Sequence, residues 1–489
     1  MTRPRVHYFA YGSNMLTAQL RGESPPQADP AGASFGAGLL TLLRVGWQRY
    51  RQERSCRWSH EQLERHQSSR LAMLRRFVEA RSPFYREFHR GMQHRPLYEL
   101  PILSKATLME NFDSLVTDRQ IRLVEVERYL GEPPSSRLFL DKYVVLATSG
   151  TTGRRGVFVF DDAEWVAAIA AITRPIVWSG AGRNLRNPPK SALIASSTPW
   201  HYSARIGKSL STRLLPSLRL DAAEPLAMLV ERLNAWRPEA LAVYPSVLMQ
   251  LAEEQLAGRL DIPLTNVATS AEVLTVETRR RAEQAWGIRV FDTYGATEYA
   301  PIAAECAFGN KHLFEDRAII EIVDEQGRAV PPGERGDRIL LTLLERRTQP
   351  LIRYEISDMV RELAGECACG RRFRMIESIE GRVEDILYFP RREGGDQRVA
   401  IHPNLFHGVL ETVPATGWQI VHDEQGLTVH LTGSVDVTVR DDLRAQLARM
   451  LEGQGAHAPV VEVRMTGELR RGATGKAPLI VSHSVGIRS

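Results

Sequence analysis

Between about Tyr143 and Leu344, short β-branched apolar runs alternate with helical patterns, and this alternation restricts the fold more than any other feature. The runs VVLA (144–147), SALIA (191–195), ALAVY (240–244), NVATS (266–270) and IRVFDTY (288–294) read as strands. AMLVERLNAW (227–236) and VETRRRAEQAW (276–286) read as helices between them. Parallel strands need crossover connections, usually helical, so the pattern predicts an α/β domain with mainly parallel strands and covered faces. AIIEIVDEQG and DRILLTLL depart from it and predict an antiparallel, hairpin-like pair turning around Asp324 to Gly327. A further boundary falls near Gly381. Beyond it, GWQIVHDEQGLTVHLTG gives two strands around a turn, VRDDLRAQLARML (439–451) a helix and VVEVRM a strand. That is a small α+β unit of roughly 100 residues, suited to a lid.

The 489 residues allow two to four domains. Lys plus Arg number 63 against 58 acids, a net charge of +5 that permits an anionic ligand but does not demand nucleic acid. Leu71, Leu74, Phe77 and Val78 fall at helical spacing, with Arg75, Arg76 and Arg81 predicted on a solvated face. No apolar run approaches the ~18 residues of a membrane span, and Met1 to Arg21 lacks a signal-peptide pattern. Four cysteines are too few for a disulfide framework, which points to a reducing cytoplasm. Residues 22–36 are rich in Gly, Pro, Ala and Ser and read as a linker or disordered arm. Before it, HYFAYGSNM (7–15) resembles the opening strand and loop of the gamma-glutamylcyclotransferase family, and the resemblance stops there.

Five motifs carry chemistry. In LATSGTTGRRG (146–156), Thr148, Ser149, Thr151 and Thr152 offer hydroxyls beside backbone amides, and Gly150 and Gly153 let a ligand approach closely. These suit a polyphosphate, although the Walker A spacing is absent. DTYGATEYAP (292–301) ends a strand on Thr297 and Glu298, and an acid beside a phosphate loop suits Mg²⁺. PLIRYEISDMV (350–360) presents Asp358, which fits a ribose diol or a turn cap. EGRVEDIL (380–387) lies at the domain boundary, and GATGKAPLI (472–480) places Lys476 in a glycine-bounded loop. Each motif alone also fits an ordinary turn or surface loop.

In this order and spacing, the five resemble the adenylate-forming superfamily of acyl-CoA synthetases, adenylation domains and luciferases. The chain is most similar to its phenylacetate–CoA ligase and coenzyme F390 synthetase (CapK-like) branch, to which SPFYREF and LPILSKATLMENFDSLVTD (100–118) add support. The resemblance implies an α/β fold with a large adenylation domain (37–381), a small α+β C-terminal lid (382–489) and an arm (1–36). It assigns Thr148, Ser149, Gly150, Thr151, Thr152 and Gly153 to the ATP phosphates, and Ser270, Ala271 and Glu272 to the adenine. Ser270 departs from the family's glycine. Tyr294 and Gly295 would flank the adenine and the acyl pocket. Thr297 would touch the α-phosphate, Glu298 would bind Mg²⁺, and Asp358 with Arg382 would hold the ribose. Glu384 would be the hinge, and Lys476 would stabilise the adenylation transition state. The implied reaction turns a small-molecule carboxylic acid and ATP into acyl-AMP and pyrophosphate, then transfers the acyl group to a thiol, most simply coenzyme A. The phosphopantetheine of an acyl or peptidyl carrier protein, an amine or a hydroxyl acceptor, F390-type adenylylation, a catalytically idle scaffold and a homodimer are all compatible with the resemblance. A nucleic-acid or membrane partner is not expected.

Two further sets stand apart. Cys306 and His312, with Cys367 and Cys369, supply the three sulfurs and one nitrogen of a closed structural Zn²⁺ site. Unlinked thiols and a surface histidine are the plain alternative. WHYSAR (200–205) and VYPSVLMQL (243–251) are the acid-pocket segments, with Trp200, Tyr202 and Tyr244 as aromatic walls and His201 or Arg205 as a polar handle.

Overall fold

The computed structural model describes residues 35–132, 137–148, 155–179, 189–209, 217–382, 385–392, 398–401, 403–410, 412–423, 426–457, 459–472 and 475–482. Its centre is a ten-stranded sheet. Strands Ser217–Asp221, Ser191–Ala195, Ala240–Val243, Asn266–Ser270 and Val290–Tyr294 lie side by side in that order and run parallel. Helices Leu226–Trp236, Pro245–Leu256 and Val276–Trp286 form the crossovers, and Leu229, Leu233, Val247, Leu248 and Leu251 bury their inner faces against the strands.

The sheet changes character after Tyr294. Ala303–Glu305 returns antiparallel, because the short 295–302 connection leaves no room for a crossover helix. Lys311–Leu313, Met375–Arg382, Asp358–Leu363 and Arg335–Gly336 then continue the sheet, each antiparallel to its neighbour. The sheet is therefore mixed, and its parallel part is narrower than the sequence alternation suggests. Ala318–Val323 and Arg338–Leu343 pair antiparallel as expected, with Ala318 opposite Leu343. Val144–Ala147 and Val157–Phe160 form a separate antiparallel hairpin.

The N-terminal helices cover this second half. Helix Phe35–Ser55 begins inside the segment read as an arm; residues 1–34, with the cyclotransferase-like fragment, lie outside the described residues. It is fastened to helix Asp162–Trp178 and the sheet. Gln52 Nε2 donates to the Ala167 carbonyl at 3.1 Å, and Ser55 Oγ to Asp316 at 2.6 Å. Asp316 is in turn paired at 3.0 Å with the fully buried Arg174. Helix His60–Arg81 starts on a Ser59–Gln62 capping box and buries Leu63, Leu74 and Val78. Arg76 and Arg81 face solvent as expected, whereas Arg75 is half-buried and donates to the Arg95 and Met92 carbonyls.

Beyond Leu387 the chain has its own core. Strands Val461–Met465, Gly426–Thr432, Gly417–Asp423 and Ile480–Ser482 form a four-stranded sheet, the central pair antiparallel and each outer strand parallel to its neighbour. Helix Val437–Gly453 packs on it through Leu443, Leu447 and Leu451, a stripe at i, i+4 and i+8. Among the described residues, no helix is long and apolar enough to cross a membrane.

Candidate active site

The parallel strands deliver the site. Strands Ser191–Ala195, Ala240–Val243, Asn266–Ser270 and Val290–Tyr294 all end at one sheet edge. Residues 196–201, 244–246, 270–272 and 295–298 emerge there, where open α/β sheets bind ligands.

The phosphate-loop motif is the tip of the Val144–Phe160 hairpin. Its neck is closed by Thr148 N–H donating to the Gly156 carbonyl at 2.9 Å and Gly156 N–H donating to Thr148 Oγ1 at 2.8 Å. The Thr148 hydroxyl is thus engaged at the neck of the hairpin. Ser149, Gly150, Thr151, Thr152 and Gly153 lie outside the described residues. Trp200 belongs to this neck as well: its carbonyl accepts from Ala147 N–H at 3.1 Å, and the Arg155 guanidinium lies 4.6 Å from its ring centroid.

On the next strand end, Ala271 takes a left-handed φ of 72° directly after Ser270 and turns the chain back over the edge. The Glu272 carboxylate has a definite task. It accepts from Ser246 N–H at 2.9 Å and Ser246 Oγ at 3.2 Å, at the N-terminus of helix Pro245–Leu256, and from the Ala477 N–H of the C-terminal unit at 2.8 Å. A carboxylate at a helix N-terminus is stabilised by the unpaired amides there. Burial nonetheless pushes its pKa above the ordinary range. The side chain is thus committed to a joint between the two halves, and only its backbone is left for an adenine.

Tyr294, Glu298 and Asp358 form one buried group. Tyr294 Oη donates to Asp358 Oδ2 at 2.5 Å, and Tyr354 Oη to Glu298 Oε1 at 3.0 Å. Burial raises the Glu298 carboxyl, opposed by its own backbone amide, Tyr354 and Lys105. Gly295 is required by packing: a Cβ there would meet the Ala300 Cβ at 2.9 Å. Thr297 is half-buried in the same turn. Asp358 opens its strand opposite Arg382 in register, with only the Arg382 backbone described, and Glu384 lies outside the described residues.

Lys476 reaches this edge from the C-terminal unit. Gly472 N–H donates to the Lys476 carbonyl at 2.8 Å, and Gly475 N–H to the Gly472 carbonyl at 2.9 Å, so the loop is a closed turn. Gly475 has φ 75° and lies against Ala222, where a Cβ would meet the backbone at 2.9 Å. Arg471 bonds Gln250 Oε1 at 2.7 Å and the Gly475 carbonyl at 2.8 Å. The Lys476 ammonium then lies 5.7 Å from the Tyr244 ring centroid. His201 is pulled down to about 4, first by burial and then by the Lys476 and Arg155 charges. Tyr244 itself accepts from Ser196 N–H at 3.0 Å. Of the three aromatic residues expected in an acid pocket, Tyr202 lines a cavity beside Glu298, whereas Trp200 and Tyr244 brace the loops around it. Arg205 bonds Tyr129 Oη at 2.8 Å.

The cysteine–histidine set converges. The ligand atoms of Cys306, His312, Cys367 and Cys369 all lie within 4.8 Å of one another. Cys306 and Cys367 sulfurs are 3.6 Å apart, and Cys369 Sγ is 3.2 Å from His312 Nε2. Zinc–sulfur bonds of ~2.3 Å in a tetrahedron put sulfurs about 3.8 Å apart. His312 Nδ1 lies 3.0 Å from the Phe373 carbonyl, which holds the proton on Nδ1 and turns Nε2 toward the sulfurs.

Three participants had no role assigned from the sequence. Tyr354 and Ser246 lie inside the segments 350–360 and 243–251, and Arg471 directly precedes GATGKAPLI. Their bonds to Glu298, Glu272 and Gln250 are tertiary and leave no local mark.

Residues 131–340 match the AMP-binding enzyme family. Among similar proteins, the phenylacetate-coenzyme A ligase of Thermus thermophilus is 26% identical over 390 residues, covering 75% of this chain and 79% of that protein. The phenylacetate-coenzyme A ligase of Pseudomonas putida is 27% identical, covering 63% and 67%. Protein CapK of Staphylococcus aureus is 24% identical, covering 59% of each. In fold, the chain is similar to a 2-hydroxyisobutyryl-CoA ligase solved in the postadenylation state, with a TM-score of 0.68 at 20% identity and 94% of both chains covered. Residues 131–340 thus carry an AMP-binding enzyme domain, and the chain is similar to the phenylacetate–CoA ligases and CapK.

Proposed function

We propose that the protein converts a small carboxylic acid and ATP to acyl-AMP and pyrophosphate, and then passes the acyl group to the thiol of coenzyme A. A carboxylate oxygen attacks the α-phosphorus as the bond to the β-phosphate oxygen breaks. The thiolate then attacks the acyl carbon and AMP leaves. The observation that carries this reading is the Lys476 loop, docked through Ala477 and Glu272 at the edge where strands Ala240–Val243, Asn266–Ser270 and Val290–Tyr294 end. Two anions meet in the first step, and a fixed ammonium offsets the charge that develops. Glu298 fits Mg²⁺: it is a buried carboxylate with one hydroxyl donor, and among the described residues no cation is within ion-pair distance. When bound, Mg²⁺ would neutralise phosphate charge. Ser149 to Gly153 would hold the phosphates, Ser270, Ala271 and Tyr294 would frame the adenine, and Asp358 with Arg382 would bind the ribose. Residues 37–381 and 382–489 would be the two domains, with Glu384 as hinge. Cys306, His312, Cys367 and Cys369 would hold one structural Zn²⁺, and a reducing cytoplasm would keep these thiols available.

Acid-dependent exchange of labelled pyrophosphate into ATP tests the first step. Exchange with at least one acid is expected; its absence across a broad panel, with folded protein, contradicts the reading.

Two variants probe named contacts. Asp358→Ala should raise the KM for ATP about 10- to 100-fold, the range for a hydrogen-bonded charge, with the KM for the acid changed little. Unchanged ATP dependence removes Asp358 from the nucleotide site. Glu272→Ala should slow pyrophosphate exchange about 10-fold while sparing thioester formation from supplied acyl-AMP, because it loosens one lid orientation only. Equal loss in both half-reactions would show that the Glu272–Ala477 contact is structural.

A further inference from the structure

We infer that the acid activated here ends in a compact, neutral oxygen acceptor, a hydroxyl or carbonyl, seated against Arg317 and Arg346. This rests on the adenylation reading and names the substrate class of that site. The cavity beside Glu298 is walled by Phe160, Ala168, Tyr202, Ala300 and the two arginines. Space open to the centre of a water-sized group amounts to about 20 Å³, which admits one small polar substituent and no aryl ring.

The walls are not those of an apolar pocket. Arg317 and Arg346 are only 7% and 6% exposed. Arg317 Nε donates to Glu345 Oε2 at 3.1 Å, and Arg346 Nη2 to the Val159 carbonyl at 2.6 Å. The Arg346 guanidinium is centred 3.6 Å from the Phe160 ring centroid. Arg317 Nη1 and Arg346 Nε and Nη1 are buried and have no hydrogen-bond acceptor among the described residues. Arg346 Nε comes within 3.8 Å of Glu164 Oε2, beyond hydrogen-bond range. Glu164 is already occupied: Oε1 accepts from Thr348 N–H at 2.8 Å and Oε2 from Asp161 N–H at 3.0 Å.

Charge and hydrogen bonding point to different needs. The two arginines face Glu164 and Glu345, so formal charge is balanced, and Glu298 is reserved for the metal. Donors still exceed acceptors. A second carboxylate would add an uncompensated charge, whereas a hydroxyl or carbonyl oxygen accepts from the guanidinium edge without one. An apolar tail would leave buried donors dry, and sites built to hydrogen-bond a substrate group reject analogues that lack it by large factors.

The test is pyrophosphate exchange by the full-length protein with matched acids: butanoate, 3-hydroxybutanoate, 3-oxobutanoate, succinate and phenylacetate. The hydroxy or oxo acid should exceed butanoate and phenylacetate by about 100-fold or more in kcat/KM. Arg346→Met should erase that preference and raise exchange with butanoate relative to its hydroxy analogue. The wild-type panel decides even where the variant fails to fold. A preference for phenylacetate, butanoate or succinate overturns the inference and leaves the adenylation reading standing. Exchange with none of the five also overturns it; if ATP with Mg²⁺ then fails to raise the melting temperature as well, the adenylation reading falls with it.

Discussion

Lys476→Ala is expected to cut acyl-AMP formation by about 100-fold or more while leaving thioester formation from supplied acyl-AMP within a few-fold. The loop is held in place by groups other than the ammonium: Gly472, Gly475 and Arg471 close the turn, and Ala477 N–H binds Glu272 at 2.8 Å. Removing the ammonium therefore deletes one charge and leaves the loop in position. Losing one preorganised electrostatic contact at a developing negative charge typically costs about 3 kcal/mol, which sets the magnitude. The effect should fall on kcat more than on the KM of either substrate, because the contact matters as charge develops. Thiol attack on the anhydride creates no second phosphate-centred transition state, so the second step has no use for Lys476 in this position. Rapid-quench measurement of the two half-reactions separates them. Equal losses in both, with the fold intact, would mean that one lid orientation serves both steps.

Removal of metal from the cysteine–histidine cluster should lower the melting temperature by about 5–10 °C. The four ligands tie together two segments that otherwise meet in a short antiparallel pairing, His312 opposite Met375 and Lys311 opposite Ile376. Cys306 and His312 flank the turn after strand Ala303–Glu305, while Cys367 and Cys369 sit in the loop between Asp358–Leu363 and Met375–Arg382. Around them Cys306, Cys367 and Met375 form a small apolar cluster with Leu363 packed against it, and Trp178 lies edge-on to His312. On the order of 3 kcal/mol of stabilisation, spread over a large domain, gives the stated shift. Cys306→Ser should do the same, since a buried hydroxyl replaces a ligand. Purified protein should contain about one zinc per chain. Metal-free protein with an unchanged melting temperature would reduce the cluster to packed thiols.

The sequence showed much of the site because the site is built on strand ends. A β-branched run that stops at a loop of Gly, Thr or Glu is visible locally, so Ser270 and Tyr294 could be placed at strand ends, and Thr148 and Glu298 just beyond them, without coordinates. The cysteine set was legible for a different reason: few cysteines, two tight clusters and a histidine leave little room for other pairings. Three things were hidden. The switch from parallel to antiparallel pairing at Tyr294 depends on the length of a connection, which hydrophobic pattern does not encode. Glu272 is engaged by Ser246 and Ala477, from two regions far apart in sequence, so its role as a joint is a tertiary property. Arg317 and Arg346 read as ordinary charges in a basic chain, and only burial and missing acceptors set them apart.

The most direct measurement is product identity in a single turnover. Protein, ATP, Mg²⁺ and an accepted acid, quenched without coenzyme A, should yield acyl-AMP and pyrophosphate in equal amounts, with no ADP. Adding coenzyme A should then convert the acyl-AMP to acyl-CoA and AMP. Acid-dependent formation of ADP and phosphate, or an acyl-AMP that coenzyme A does not consume, would contradict the account.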